Sequence, residues 1–249
     1  MTEELVQEAV RIVDYFQKNN VTLRMLGATA FRFHCKSSYL FKALKRELTD
    51  LDFASYGRES TNVMKLMAQL GYQSDSRMVM LRNVLDRYIF ENKARGYHAD
   101  VFFDKLEMCH TIDFKGRLEI DYPTVGLAEL LLEKLQIVQI TEKDIKDLIV
   151  LLLEHKIGRG DKETINGSYI AEILSKNWGF YYTATNNLHK LIEVVPNYKV
   201  LRLNELEKVE SQTRSLLNII EKEPKSIGWK MRAKLGTKRK WYTEVESVS

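Results

Sequence analysis

The chain contains 249 residues, and its 38 basic and 34 acidic side chains leave a formal net charge of +4. This charge is too close to balance to indicate nucleic-acid binding by itself. An apolar content of 45% and only three prolines exclude an extensively disordered or collagen-like chain. Two cysteines are too few to stabilise a fold of this size through disulfides, which favours a reducing compartment. Acids among the opening residues and the lack of a long apolar run argue against a signal peptide or a membrane span, so we expect a soluble, cytoplasmic protein.

The first half of the chain mixes helical and strand-like patterns. Apolar residues recur at helical spacing in some segments and alternate with polar residues in others. We expect helices from the start to residue 18 and over 30–35 and 59–70, and either a helix or a long loop with a helical turn over 39–46. We expect strands over 21–26, 49–55 and 117–122, and a strand-rich region over 78–104 that ends with strands 87–91 and 97–103. A turn that contains Gly96 is expected to join two of these strands into a hairpin.

Helical spacing dominates the second half. We expect helices over 127–138, 142–155, 165–177, 185–194 and 203–221. Thr141 and Asp144 form a capping-box-like start for the second of them. Residues 158–161 are polar and contain two glycines, so they are the best candidate for a domain boundary. The sequence therefore predicts an α+β fold, with a mixed β-sheet and flanking helices over 1–156 and a helical C-terminal domain over 157–249.

The strongest candidate for a functional motif is Thr49-Asp50-Leu51-Asp52-Phe53. Because side chains alternate along a strand, Asp50 and Asp52 project from one face and the apolar residues from the other. Carboxylates are ligands that Mg²⁺ prefers, and two such ions can hold the attacking and leaving oxygens of a displacement at phosphorus. The alternative is an edge strand with one polar face and no metal.

Two further features flank this motif. Gly27-Ala28-Thr29 lies at an expected strand-to-helix turn, where glycine lets a phosphate approach the backbone amides of the helix start. Downstream, Asp100 lies in an apolar strand and shares a face with Asp104. We interpret Asp104 itself as a strand-end acid rather than a ligand.

A glycine turn, then Asp-X-Asp on a strand, then a later strand aspartate resembles the polymerase-β-type nucleotidyltransferase superfamily. The resemblance implies a nucleotidyltransferase-type sheet, a nucleoside triphosphate substrate, and Mg²⁺ or Mn²⁺ as the cofactor. It assigns Asp50, Asp52 and Asp100 to the catalytic metal site, with Asp100 activating the attacking hydroxyl. It assigns nucleotide binding to the residues of the turn and to a basic residue ahead of the acids, namely Gly27, Ala28, Thr29 and Arg46.

A second match lies in the expected helices over 127–138 and 142–155. Lys134 followed by Lys143-Asp144-Ile145-Lys146-Asp147-Leu148 resembles segments of the AbiEii-like, minimal nucleotidyltransferase branch. By this resemblance Lys134 contacts the nucleotide phosphates, while Asp144 and Asp147 support the site. The alternatives are a solvent-exposed Lys134 and a surface ion pair between Lys143 and Asp147, which lie four residues apart.

The C-terminal tail is strongly basic. Residues 225–240 include seven lysines and arginines and no acid, and Trp229 and Trp241 lie within or beside this run. Cations beside aromatic rings suit a polyanion, so the tail is a candidate for binding RNA, tRNA or a protein acceptor. The alternative, which we favour, is a solvated basic face whose tryptophans pack against the domain.

Two His-Cys neighbours are candidates for metal binding. Neither His34-Cys35 nor Cys109-His110 has the spacing of a zinc site, so we interpret them as buried thiols and ordinary histidines.

The expected activity is transfer of a nucleoside monophosphate from a triphosphate to an acceptor hydroxyl on tRNA, a protein or a small molecule, in a toxin–antitoxin or phage-defence setting. Ala28 departs from the family's usual turn because it offers no hydroxyl, and the gap from Gly27 to Asp50 is longer than usual. These departures motivate a second hypothesis, an inactive nucleotidyltransferase fold that binds nucleotide or RNA. A third hypothesis is an adaptor whose helical domain binds protein.

Overall fold

The computed structural model describes residues 2–35, 38–45, 47–74 and 87–244. Within these ranges a five-stranded mixed sheet with flanking helices is followed by a mostly helical C-terminal region. This architecture confirms the α+β fold class. No helix in these ranges is long and apolar enough to cross a membrane.

The elements before residue 114 are helices α1–α4 and strands β1–β7. The helices are α1 (Thr2–Lys18), α2 (Gly27–His34), α3 (Ser38–Ala43) and α4 (Ser60–Gln69), with a 3-10 turn at Gly57–Glu59. The strands are β1 (Leu23–Leu26), β2 (Leu51–Ser55), β3 (Gln73–Ser74), β4 (Arg87–Asn92), β5 (Tyr97–Phe103), β6 (Lys105–Glu107) and β7 (Thr111–Asp113).

The later elements are helices α5–α10 and a pair of short strands. The helices are α5 (Leu127–Leu135), α6 (Glu142–Glu154), α7 (Gly167–Lys176), α8 (Trp178–Val194), α9 (Leu203–Lys222) and α10 (Ile227–Ala233), with 3-10 turns at Val195–Asn197 and Gly236–Lys238. The strands β8 (Lys156–Gly158) and β9 (Thr164–Asn166) pair in parallel.

The central sheet has the strand order β1-β2-β5-β4-β3. β2 and β5 are parallel, whereas the other three neighbouring pairs are antiparallel. Leu51, Phe53 and Val101 are fully buried on one face of the sheet. Since side chains alternate along a strand, Asp52 and Asp100 must lie on the opposite face. The burial of the apolar face therefore fixes which side of the sheet carries the acids.

The amphipathic helix α1 is bound to the sheet by a continuous apolar stripe. It packs against β1 and α2. The buried residues recur at three- and four-residue intervals, as an amphipathic helix requires: Leu5, Ala9, Ile12, Val13 and Phe16.

Contacts divide the chain into two compact units. The first comprises Met1–Lys36, Glu47–Glu107 and Ile112–Gly126, and the second comprises Ser37–Arg46, Met108–Thr111 and Leu127–Ser249. The sequence instead suggested a division between 1–156 and 157–249. The difference arises because the leucine-rich helices α5 and α6 bury their side chains against α7, α8 and α9, inside the second unit.

Two expectations about individual elements need correction. Residues 117–122 are not a strand, because Gly116 has a φ of +67° and the amide of Arg117 bonds to the carbonyl of Phe114 at 2.9 Å, which turns the chain. The helix expected over 185–194 starts already at Trp178. Its start is set by Asn177, whose side chain accepts a hydrogen bond from the amide of Phe180.

Other expected elements are confirmed with small changes in their ends. The strand expected over 97–103 has those bounds, and the helix expected over 203–221 is α9. The capping box that begins α6 is present, with Thr141 and Asp144 satisfying each other's backbone amides. The strands expected between residue 78 and β4 lie outside the described residues, since the structure does not describe 75–86.

Candidate active site

Asp52 and Asp100 lie directly opposite each other on neighbouring strands. In the parallel pairing of β2 with β5, Asp52 is the register partner of Asp100. Side chains of directly opposed residues project from the same face of a sheet, and neighbouring strands lie about 4.8 Å apart. Two of the three expected ligands are therefore neighbours although they come from distant parts of the chain.

The glycine corner lies beside the same carboxylates. Leu26, the last residue of β1, is the register partner of Asp52, and Gly27 follows with a φ of +62°. A Cβ on Gly27 would lie 2.2 Å from Oδ2 of Asp52. Only a residue without a side chain fits here, because any other would meet the carboxylate and occupy a left-handed conformation.

The two residues after the glycine differ in what they offer to a ligand. Ala28 is half-buried at the start of α2, where helix amides lack intrahelical acceptors. Thr29 is fully buried, and its hydroxyl donates to the carbonyl of Leu26 at 3.2 Å. The hydroxyl of Thr29 thus stabilises the turn.

Asp50 adds a third negative charge next to this pair. It is exposed just before β2 and accepts a hydrogen bond from the hydroxyl of Thr49 at 2.6 Å. Burial raises the pKa of Asp100, the Arg87 guanidinium opposes this rise, and the charge of Asp50 adds to it. Asp50 is therefore close enough to Asp100 for the two charges to repel each other.

Arg87 is a site residue that the sequence motifs did not indicate. Its Nη2 lies 2.8 Å from Oδ2 of Asp100, and its guanidinium carbon lies 5.3 Å from the ring centre of Phe102. The pairing of β4 with β5 places Arg87 opposite Phe102, two residues beyond Asp100. The expected hairpin joined residues 87–91 to 97–103, but the sequence did not fix the register that places Arg87 beside Asp100.

The donor chemistry of this cluster suits a hard divalent cation, although the three carboxylates are not grouped in this structure as a metal site requires. Asp50, Asp52 and Asp100 offer only carboxylate oxygens, which Mg²⁺ and Mn²⁺ prefer. Within residues 2–35, 38–45, 47–74 and 87–244, no three His, Cys, Asp or Glu side chains form a group that could hold a metal ion. Arg87 supplies the positive charge beside Asp100 instead.

The second unit contains a separate charged cluster around Lys134. Its ammonium lies 3.1 Å from Glu133, 3.4 Å from Asp147 and 3.6 Å from Asp144. Burial by itself would lower the pKa of Lys134, but the carboxylates of Glu133, Asp147 and Asp144 outweigh burial and raise it. Lys134 is therefore a buried cation that is charged at all physiological pH values.

This geometry corrects the two alternative interpretations of the charged residues in these helices. Lys134 is only 8% exposed, so it is not a solvated helix lysine. Asp147 is fully buried and faces Lys134, so it does not form a surface ion pair with Lys143. The remaining expected nucleotide-binding residue, Arg46, lies outside the described residues.

The histidines beside the cysteines have ordinary partners. Nε2 of His34 lies 2.6 Å from the hydroxyl of Thr124. Nε2 of His110 lies 2.8 Å from the hydroxyl of Thr183, and its ring stacks on Phe180. These contacts agree with the interpretation of both as structural residues.

The tryptophans of the tail pack back on the second unit. Nε1 of Trp241 donates to the hydroxyl of Thr183 at 3.1 Å, and its ring meets Tyr182 edge-on. Trp229 meets Tyr181 in the same way, and Arg232 lies over the ring of Trp178. This packing confirms the favoured interpretation of the aromatic residues, while several tail cations remain exposed: Lys230, Lys234, Lys238, Arg239 and Lys240.

No family model, curated protein or solved structure matches this chain.

Proposed function

We propose that this protein is a metal-dependent nucleotidyltransferase. The observation that supports the proposal best is the register pairing of Asp52 with Asp100 beside the Gly27 corner. A carboxylate pair next to the first amides of a helix brings together the two functions that phosphoryl chemistry needs, which are cation binding and phosphate binding.

The proposed reaction joins an acceptor hydroxyl to the α-phosphorus of a nucleoside triphosphate. The hydroxyl oxygen forms the new bond, the bond from the α-phosphorus to the bridging oxygen breaks, and pyrophosphate leaves. Asp50, Asp52 and Asp100 would hold Mg²⁺ or Mn²⁺, which would neutralise charge on the phosphates.

The protein's own groups have defined tasks in this scheme. The amides at the start of α2, at Gly27 and Ala28, bind phosphate oxygens. The carboxylate of Asp100 takes the proton of the attacking hydroxyl. Burial raises the pKa of Asp100, which makes this carboxylate a better proton acceptor. Lys134 is assigned to the phosphates by resemblance alone, and that assignment stays a prediction.

A second candidate function is favoured by the ion pair at Asp100. An inactive nucleotidyltransferase fold would keep its arginine–carboxylate contact permanently and would bind nucleotide or RNA without transfer. The internal hydroxyl of Thr29 and the missing hydroxyl at Ala28 agree with weakened phosphate binding. Such a module would suit a partner protein in a toxin–antitoxin or phage-defence pair.

Transfer of label distinguishes these two functions. The protein is incubated with Mn²⁺, total tRNA and each of four nucleoside triphosphates labelled at the α-phosphate, and label on RNA or protein is measured. Asp52→Asn is the test variant, and Asp113→Asn, at an exposed position on β7, is its matched control.

Each result decides between the functions. Transfer that Asp52→Asn abolishes and Asp113→Asn retains supports the enzyme. Binding of a fluorescent nucleotide without transfer supports the inactive module. Neither binding nor transfer with any of the four nucleotides overturns both.

A further inference from the structure

The acids of the candidate site need a positive charge even when no metal is bound. Asp50, Asp52 and Asp100 bring three carboxylates to one region, and Asp50 and Asp100 repel each other. Arg87 brings a cation to this group, through a contact of 2.8 Å between its Nη2 and Oδ2 of Asp100. Both partners are largely enclosed, with 29% of the Arg87 side chain and 21% of the Asp100 side chain exposed.

The contact is close but incompletely satisfied. The Nε atom of Arg87 is buried and has no hydrogen-bond partner among the described residues. A guanidinium binds a carboxylate best through two parallel hydrogen bonds, whereas here one distance of 2.8 Å joins Nη2 to Oδ2. A buried donor without an acceptor is unfavourable, so this arrangement lacks the full stabilisation of a permanent structural ion pair.

We propose that Arg87 is a positioning residue that takes the place of the divalent cation beside Asp100 and must release this carboxylate when the cation binds. Arg87 thus holds the side chain of the third ligand in place and sets the cation affinity of the site. This inference rests on the proposed function, because it assumes that the three aspartates bind a metal.

The strand geometry permits such an exchange. Arg87 is opposite Phe102, and Ile89 is opposite Asp100, so the arginine reaches Asp100 diagonally along the face. The guanidinium can leave Asp100 by side-chain rotation, and the backbone pairing of β4 with β5 does not have to change. The contact with the ring of Phe102 provides a nearby surface for the released group.

The test measures Mn²⁺ affinity directly, by determining the concentration of free Mn²⁺ with electron paramagnetic resonance. Arg87→Gln removes the competing charge and should bind Mn²⁺ about tenfold more tightly than the natural protein. Arg58→Gln is the matched control, because Arg58 is 74% exposed and its guanidinium lies 3.9 Å from Glu59 on the 3-10 turn. It should change the affinity by less than about twofold.

A double-mutant cycle connects the effect to Asp100. In an Asp100→Asn background the Arg87→Gln substitution should leave Mn²⁺ affinity nearly unchanged, because the contact being tested no longer exists. Arg87→Lys retains one positive charge, so its Mn²⁺ affinity should be close to the weaker affinity of the natural protein. Arg87→Gln should also be less stable in EDTA, yet gain more in melting temperature from Mn²⁺ than the natural protein gains.

The outcomes separate this inference from the proposed function. If the natural protein binds Mn²⁺ and Arg87→Gln binds it equally or more weakly, Arg87 is a purely structural residue and the inference fails, while the metal site stands. If neither protein binds Mn²⁺ at millimolar concentration, the metal site itself fails, and with it both proposals.

Discussion

The carboxylate of Asp52 occupies the space that a side chain at position 27 would need. A Cβ there would lie 2.2 Å from Oδ2, 2.9 Å from Cγ and 3.0 Å from Cβ of Asp52. The carboxylate of Asp52 therefore fits against the turn between β1 and α2 only because residue 27 has no side chain. A glycine in the left-handed region brings the helix amides close to the carboxylate cluster.

Gly27→Ala should destabilise the protein and impair nucleotide binding. The left-handed conformation costs an alanine about 1 kcal/mol, and displacing Asp52 should cost about 1–3 kcal/mol more. Gly116→Ala is the matched control, because Gly116 has a φ of +67° but open space where the methyl group of an alanine would lie. Urea unfolding and fluorescent-nucleotide titration measure the two effects, and equal losses in both variants would show that Asp52 imposes no steric requirement.

Lys134→Met should be strongly destabilising. It removes the ammonium that lies 3.4 Å from Asp147, whose side chain is only 1% exposed, and breaking a buried pair costs about 3–5 kcal/mol. Lys176→Met, which breaks an exposed pair with Glu172, should cost only about 0.3–0.5 kcal/mol.

Chemical denaturation of the double variant Lys134→Met, Asp147→Leu completes this comparison. It should recover much of the loss, because an apolar pair leaves less charge without a counterion. A Lys134→Met variant as stable as Lys176→Met would show that the cluster contributes nothing to folding.

His110 should make stability depend on pH. Burial lowers the pKa of His110 from 6.5 to about 4. Between these values the unfolded chain binds a proton that the folded protein does not, so the free energy of unfolding falls as the pH falls from about 6.5 to about 4. The total loss should be on the order of 3 kcal/mol.

Urea unfolding at several pH values between 4 and 7 measures this dependence. His110→Gln should reduce the slope in that range, although it lowers stability at pH 7 through lost stacking on Phe180. His189→Gln, at an exposed position on α8, should keep the slope of the natural protein. A slope that is the same in all three proteins would assign the proton uptake to other groups.

Local patterns predicted most of the secondary structure because the responsible forces act within a few residues. The stripe of α1 and the capping box of α6 are properties of adjacent turns of one helix. The strand predicted over 117–122 was wrong because the alternation there comes from a turn. This turn buries Leu118 and directs Glu119 to the hydroxyl of Tyr56. Alternation over six residues does not distinguish a strand from such a turn.

The order of the motifs alone indicated which acids to examine, and the alternation of Asp52 with apolar neighbours determined that it lies on the polar face. The pairing of Asp52 with Asp100, the contact of Arg87 with Asp100 and the enclosure of Lys134 by three carboxylates were decided only by tertiary structure. These relationships depend on which strands become neighbours and on how helices pack. Such choices follow from burying apolar surface across the whole domain, and no short stretch of sequence carries that information.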